Sequence, residues 1–284
     1  MPVHWLHANF RSGRSRGTRM RSHVPSYDLI TASDLQQALS MLSEGYRPIA
    51  GGTDVMVLFE AGKLEHKKWI SILELRDLRF IDVTADHVTL GALTTYTDVR
   101  RSEILATEFP LLAQAAALTG GIATQNRGTI GGNIVNASPA ADTPPALLVY
   151  DAEVELVSQK TSRWVPYTQF HKGYKVMDLA PDELLASIRL PRRFADWRHF
   201  YRKVGTRRAQ AISKVCFAGV RRGDQIRVAL GSVAPIPIFL EGTDLSAITP
   251  IDDIRSTARY RLQVAKNLMA EFVGQVPDLP SSKR

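Results

Sequence analysis

Residues 125–142 read QNRGTIGGNIVNASPAAD, a run that is rich in glycine and in small hydrogen-bonding side chains. About eighty positions earlier, residues 50–54 read AGGTD, and apolar, strand-like sequence flanks both segments. A glycine pair lets the backbone reach positive φ and lets consecutive N–H groups converge on an anion. These two loops predict a site that holds a diphosphate from both sides. The alternative is that each glycine pair forms only a tight turn.

The two loops and a third motif resemble a known family. The matching segments are AGGTD at 50–54, TIGGN at 129–133 followed by ASP at 137–139 and Asp142, and YRK at 201–203 leading to AISKV at 211–215. They resemble the FAD-binding medium subunit of the molybdenum hydroxylases, the family that includes xanthine dehydrogenase, aldehyde oxidoreductases and aerobic carbon monoxide dehydrogenase. The resemblance runs from about His23 to the C-terminus and implies FAD as the cofactor.

The resemblance also implies a fold and a division of the chain. The expected class is α+β, with a two-part FAD-binding domain of the PCMH type over residues 23–195. A small α+β C-terminal domain of the CO dehydrogenase flavoprotein type would follow over residues 196–284. The Pro191-Arg192-Arg193 segment is the boundary signal. Residues 1–22 contain five arginines and no acidic residue, which predicts a disordered basic extension and favours Met20 as the initiator.

The loops supply most of the candidate cofactor-binding residues. The N–H groups of Ala50 to Asp54 are expected to bind diphosphate or ribityl oxygens, with the Thr53 hydroxyl as a further donor and Asp54 ordering the loop. Residues Thr129 to Asn133 of the second loop are expected to bind the other side of the diphosphate. The candidates are Pro48, Ile49, Ala50, Gly51, Gly52, Thr53, Asp54 and Val55, then Thr129, Ile130, Gly131, Gly132 and Asn133, and finally Asp142, Leu185 and Lys203.

The last three candidates come from the resemblance. It implies that Asp142 contacts FAD by accepting from ribose or ribityl hydroxyls; the alternative is an aspartate that orders its own loop. It implies that Leu185 packs against the isoalloxazine face, the alternative being an inward residue on an alternating strand. It implies that Lys203 lies near the flavin pyrimidine edge, where a cation stabilises the reduced ring. The alternative is a solvated lysine at a strand edge.

Composition excludes several other classes of protein. No stretch approaches the roughly 20 apolar residues needed to cross a bilayer, so no membrane insertion is expected. Without residues 1–22 the formal charge falls from +8 to +3, which gives no reason to expect nucleic-acid binding. The seven histidines form no metal-ligand cluster, and no side chain is assigned a catalytic role. The single cysteine, Cys216, excludes an iron–sulfur cluster held by this chain alone.

The family resemblance therefore predicts one subunit of a larger enzyme, located in the cytoplasm. It would take electrons from the clusters of an iron–sulfur small subunit, beside a molybdopterin large subunit, and pass them to NAD, quinone or oxygen. Two alternatives are a stand-alone FAD-dependent oxidase of the PCMH fold and an interaction subunit that has lost FAD. The substrate of the complex is not readable from this chain.

Hydrophobic periodicity and breakers predict the secondary structure. Helices are expected at 33–44, 55–61, 97–101, 111–118 and 256–272. Strands are expected at 47–50, 69–73, 80–83, 87–90, 152–158, 164–166, 184–190, 200–204, 214–221 and 225–232. Both glycine segments are expected to be loops.

Overall fold

The structure of the chain is a computed structural model that describes residues 26–207 and 210–274. The predicted extension at residues 1–22 lies outside the described residues. No described helix is both long enough and apolar enough to cross a membrane.

The described part of the chain contains fourteen strands. They are β1 (Asp28–Thr31), β2 (Arg47–Ile49), β3 (Lys68–Ser71), β4 (Ile81–Val83), β5 (His87–Gly91), β6 (Glu153–Val157), β7 (Ser162–Pro166), β8 (His171–Gly173), β9 (Val176–Met177), β10 (Leu184–Pro191), β11 (Arg198–Val204), β12 (Val215–Arg222), β13 (Gln225–Gly231) and β14 (Ile238–Glu241).

Ten α-helices lie between or after these strands in the described residues. They are α1 (Leu35–Ser43), α2 (Val55–Glu60), α3 (Tyr96–Arg101), α4 (Glu103–Glu108), α5 (Pro110–Leu118), α6 (Ile122–Arg127), α7 (Ile130–Asn136), α8 (Pro144–Val149), α9 (Tyr167–Phe170) and α10 (Ala258–Val273).

The strands form four sheets of different character. A small parallel sheet has the order β1-β3-β2, and an antiparallel sheet has the order β4-β5-β10-β6-β7. The C-terminal sheet is the antiparallel meander β11-β12-β13-β14. Strands β8 and β9 pair only with each other. Helices and mostly antiparallel strands in separate groups make the fold α+β, as the family resemblance predicts.

Three clusters of buried apolar side chains hold these layers together. One lies between α1 and the parallel sheet, around Leu39 and Ile70. The largest surrounds the five-stranded sheet and helices α5, α7 and α8, and it also includes Tyr201 and Cys216 of the C-terminal sheet. The third packs α10 on the other face of that sheet. The core is thus continuous across residue 195, and the domain division there stays a prediction.

The largest difference from the expected elements is at the second glycine segment. Residues 130–136 form helix α7, and Gly132 does not have the positive φ expected of a glycine in such a loop. The Thr129 hydroxyl caps this helix by accepting from the N–H of Gly132 at 3.1 Å. Seven further features were not expected, because they are short and their sequences show little periodicity: β1, α4, α6, α8, α9, β14 and the β8–β9 hairpin.

The C-terminal sheet and α10 offer a direct test of the third core. Phe272 is 1% exposed and packs against the rings of Phe200 and Phe217. We expect Phe272→Ala to lower the free energy of unfolding by about 3–5 kcal/mol, because it leaves a cavity between helix and sheet. Chemical denaturation measures the loss. The neighbouring Val273 is 40% exposed, so Val273→Ala is the matched control. Equal stability of the two variants would contradict this packing.

Candidate functional site

The first loop, residues 50–54, connects β2 to α2. Gly52 has a φ of +75°, a conformation that favours glycine. Within the described residues, the N–H groups of Gly51, Gly52, Thr53 and Asp54 donate no hydrogen bond to the protein. Consecutive free donors in one turn can serve as a binding site for phosphate oxygens.

The second loop, residues 129–133, lies directly against the first. A Cβ at Gly51 would sit 1.7 Å from the carbonyl oxygen of Arg127, the last residue of α6, so the first loop touches the backbone that leads into the second loop at a point where only glycine fits. The segment is also tied to the end of β5: Ile130 N–H donates to Thr94 O and Gly131 N–H donates to Ala92 O, both at 2.9 Å.

Most N–H groups of the second loop are therefore not free to bind a diphosphate, and the role of residues 129–133 in holding it stays a prediction. The N–H groups of Ile130 and Gly131 are bonded to the β5 end, and that of Gly132 to the Thr129 hydroxyl. The Asn133 N–H donates to Thr129 O at 3.0 Å, within the first turn of α7. In the second loop the glycines allow the backbone to lie close to its neighbours. The N–H groups without a protein acceptor belong to the first loop.

The two segments line one cleft with two parts. The shallow part has a volume of about 280 Å³ and runs along the first loop and the start of α7. The deep part has a volume of about 680 Å³. The two parts adjoin each other, because both are lined by Arg47, Pro48, Ala50, Trp69, Thr129, Gly132 and Val135. These volumes are in the range of cofactor and small-molecule sites.

The deep part of the cleft is mostly apolar. Its walls include Leu42, Ile72, Leu93, Leu184 and Leu185. This lining suits an aromatic ring system, while the free donors of the first loop suit the charged part of the same ligand.

The structure brings most of the predicted residues to this cleft. The shallow part is lined by Pro48, Ile49, Ala50, Gly51, Gly52, Thr53, Asp54, Val55, Thr129, Gly132 and Asn133. Gly131 and Leu185 line the deep part. Ile130 is fully buried in the main core and lines neither part.

Asp142 and Lys203 also lie outside the cleft lining, because they pair with each other. The Lys203 ammonium group is 2.6 Å from Asp142 Oδ2 and donates to Leu118 O at 2.8 Å. Ser213 Oγ donates to Asp142 Oδ1 at 2.6 Å. The side chains of the pair are only 7% and 8% exposed, so Lys203 is not a solvated edge lysine.

Burial raises the pKa of the Asp142 carboxyl, and the Lys203 ammonium group opposes that rise. Both carboxylate oxygens are already occupied by protein donors, whereas the resemblance implied that they accept from FAD hydroxyls. The contact of these two residues with FAD stays a prediction.

Sequence reasoning missed several residues of the cleft. Trp69 of β3 and Arg47 of β2 line both parts, and Tyr96 lines the shallow part. Lys175 reaches the deep part from the turn between β8 and β9. Trp69 and Arg47 pair across β2 and β3, so their positions follow from strand register, for which the sequence carries no local signal.

The comparisons with known proteins agree with this geometry. Residues 25–193 match the family model for the FAD binding domain in molybdopterin dehydrogenase. The chain belongs to this family of FAD-binding oxidoreductase subunits, and its cofactor is FAD.

Two curated relatives extend the similarity. The medium chain of glyceraldehyde dehydrogenase from Sulfolobus acidocaldarius is 30% identical over 280 residues, covering 89% of this chain and 99% of the relative. The FAD-binding subunit of a putative xanthine dehydrogenase from Escherichia coli is 31% identical over 227 residues, covering 76% and 77% of the two chains.

Solved structures share the fold. A chain of carbon monoxide dehydrogenase from Hydrogenophaga pseudoflava superposes with a TM-score of 0.81 at 25% identity, covering 87% of this chain and 96% of that chain.

The close contact at Gly51 gives a testable prediction. We expect Gly51→Ala to abolish FAD retention, because the added methyl group collides with the Arg127 carbonyl and forces the first loop away from the end of α6. The flavin-to-protein ratio of the purified variant measures the effect. Gly173→Ala is the control, since a Cβ there meets only Val176 at 3.9 Å. A Gly51→Ala protein with full flavin content would contradict the assignment of the cleft.

Proposed function

We propose that this chain is the FAD-carrying electron-transfer subunit of a multi-subunit molybdenum hydroxylase. The proposal rests on one observation: the four N–H groups of residues 51–54 have no protein acceptor, and these residues line a cleft of suitable size. These donors fit the FAD diphosphate, and the apolar deep part fits one ring system of FAD. When bound, FAD supplies the chemistry of accepting electrons singly and releasing them to another acceptor.

The assignment of residues within the site follows from this fit. Residues 50–54 would hold the diphosphate through their N–H groups, with Thr53 as an added hydroxyl donor. Residues 129–133 would form the opposite wall, where Gly131 and Gly132 allow close approach. Leu185 would pack against a ring in the deep part. Lys203 would act on the flavin through its charge, with Asp142 holding its position.

The chain cannot supply the other redox centres. Cys216 is its one cysteine, and it is buried against Tyr201. An iron–sulfur cluster takes about four thiolates, so the electron donor must be another chain. Relatives are described as medium chains of glyceraldehyde and carbon monoxide dehydrogenases, which supports an iron–sulfur small subunit and a molybdopterin large subunit as partners and disfavours the stand-alone oxidase. NAD, quinone or oxygen would be the final acceptor, and the proposed location is the cytoplasm.

The purified chain without its partners tests whether it carries only the flavin. We expect it to be yellow, to show flavin bands without iron–sulfur absorbance, and to be reducible by dithionite. It should oxidise no hydroxylase substrate, since the substrate site belongs to another subunit. Absorbance spectroscopy and turnover assays with aldehydes, purines and carbon monoxide measure this. Oxidation of any of these by the chain alone, at an enzyme-like rate, would overturn the proposal.

The role of Lys203 needs variants that separate charge from stability. Lys203→Ala alone leaves Asp142 buried without its countercharge and should destabilise the protein by about 3–5 kcal/mol. The double variant Lys203→Met with Asp142→Asn removes both charges and should recover most of that stability.

In the double variant we still expect a lower flavin reduction potential, because the proposed arrangement places Lys203 nearer to the flavin than Asp142, so that the loss of the cation outweighs the loss of the anion. Redox titration of the bound flavin measures it. Arg202→Ala is the control, since the Arg202 side chain is 51% exposed and pairs with Glu271. An unchanged potential in the double variant would remove Lys203 from the flavin site.

A further inference from the structure

A small hairpin forms one wall of the cleft and depends on side-chain contacts for its position. This clasp hairpin, residues 171–177, consists of β8 and β9, which join none of the larger sheets. Isolated two-stranded hairpins have marginal stability in water. Here His171 Nε2 lies 3.1 Å from Ile134 O, and Lys175 Nζ donates to Asn136 Oδ1 at 2.9 Å and to the Asn136 carbonyl oxygen. Both contacts fasten the hairpin to α7, the helix that begins at the second loop.

Lys175 is placed where it can serve the cleft as well as the hairpin. It lines the deep part together with Gly131 and Gly132, while its partner Asn136 lines the shallow part. An ammonium group has three N–H donors, and Asn136 accepts two of them, which leaves one for a ligand. Partial burial lowers the pKa of Lys175, and the carboxylate of Asp54 in the first loop acts against that shift. The ammonium group is therefore electrostatically coupled to the first loop.

The charge balance of the cleft gives this lysine a role. Neutral N–H donors cannot cancel the two negative charges of a diphosphate, and a partly buried anion without a countercharge is costly. Asp54 in the first loop adds negative charge to the same region. Glu183 in the deep part is already paired with Arg163 at 2.7 Å. Lys175 and Arg47 are the lysine and arginine side chains that line the described cleft, and only Lys175 is anchored by hydrogen bonds to α7.

We infer that Lys175 is the cation that neutralises the FAD diphosphate, and that the clasp hairpin is held in place from both sides once FAD is bound. The inference rests on the proposed function, because it takes FAD as the ligand of this cleft. The ammonium group would bridge Asn136 on the protein side and a phosphate oxygen on the ligand side. It would act on binding and not on electron transfer.

FAD titration of flavin-free protein tests this inference, with flavin fluorescence as the readout. We expect Lys175→Met to weaken FAD binding at least about tenfold, the size of one charge-assisted contact. Lys175→Arg should retain most of the affinity. Lys172→Met is the matched control, since Lys172 is exposed on the same hairpin and does not line the cleft. The salt dependence of the dissociation constant should be smaller for Lys175→Met than for the unmodified chain or the control.

Two further measurements keep the outcomes distinct. Equal midpoints of thermal unfolding for the flavin-free variants would show that Lys175→Met preserves the fold. ADP and adenosine are used as competitors of FAD, because ADP carries the diphosphate and adenosine does not. If Lys175 contacts the diphosphate, Lys175→Met should lower the affinity for ADP only; general damage to the site would lower both affinities. If Lys175→Met binds FAD as tightly as Lys172→Met, or if it loses ADP and adenosine equally, the inference is wrong while the FAD site stands. If the unmodified chain binds no FAD, the proposed function itself fails.

Discussion

The cleft depends on one contact, the approach of Gly51 to the carbonyl oxygen of Arg127. No side chain fits between them, since even a Cβ would lie 1.7 Å from that oxygen. The contact brings together the loop after β2 and the end of α6, just before the second loop. The first loop follows a strand of the parallel sheet, whereas α7, which begins at the second loop, contributes Ile130 and Ile134 to the largest hydrophobic cluster. The cleft runs along this junction, since Gly51 and Gly128 both line it. A diphosphate bound at the first loop would thus lie where these two segments meet.

The backbone N–H groups of the two glycine loops have different roles. The first loop leaves four N–H groups free, whereas the second uses its N–H groups to cap α7 and to join β5. An anion at this site would therefore meet the free N–H groups of the first loop, beside backbone whose own N–H groups are already bonded. This arrangement favours preorganisation, because α7 and the β5 end keep their geometry without the ligand while the first loop rests against them.

The sequence predicts those features of the fold and the site that depend on residues close together in the chain. The AGGTD and TIGGN segments indicated the cleft, because glycine pairs allow close backbone approach and hydroxyl and amide side chains lie beside them, and the long helices and strands followed from periodicity. Helix α7 was not expected, since two glycines and two asparagines oppose helix formation by propensity; the Thr129 cap and packing against Ala92 decide otherwise. The sequence could not predict the positions of Trp69, Lys175 and the Asp142–Lys203 pair, because these depend on contacts between segments distant in sequence.

The Asp142–Lys203 pair shows how the cofactor region and the C-terminal sheet act as one unit. Asp142 precedes α8, while Lys203, Tyr201 and Ser213 belong to β11 and the segment after it. Tyr201 donates to the Asp142 carbonyl at 3.0 Å, and Cys216 contacts the Tyr201 hydroxyl. A buried ion pair adds little net stability, but separating its members is costly because each charge is then left uncompensated. The pair therefore resists relative motion of the two parts, and Lys203 keeps a fixed position relative to α7 and the cleft.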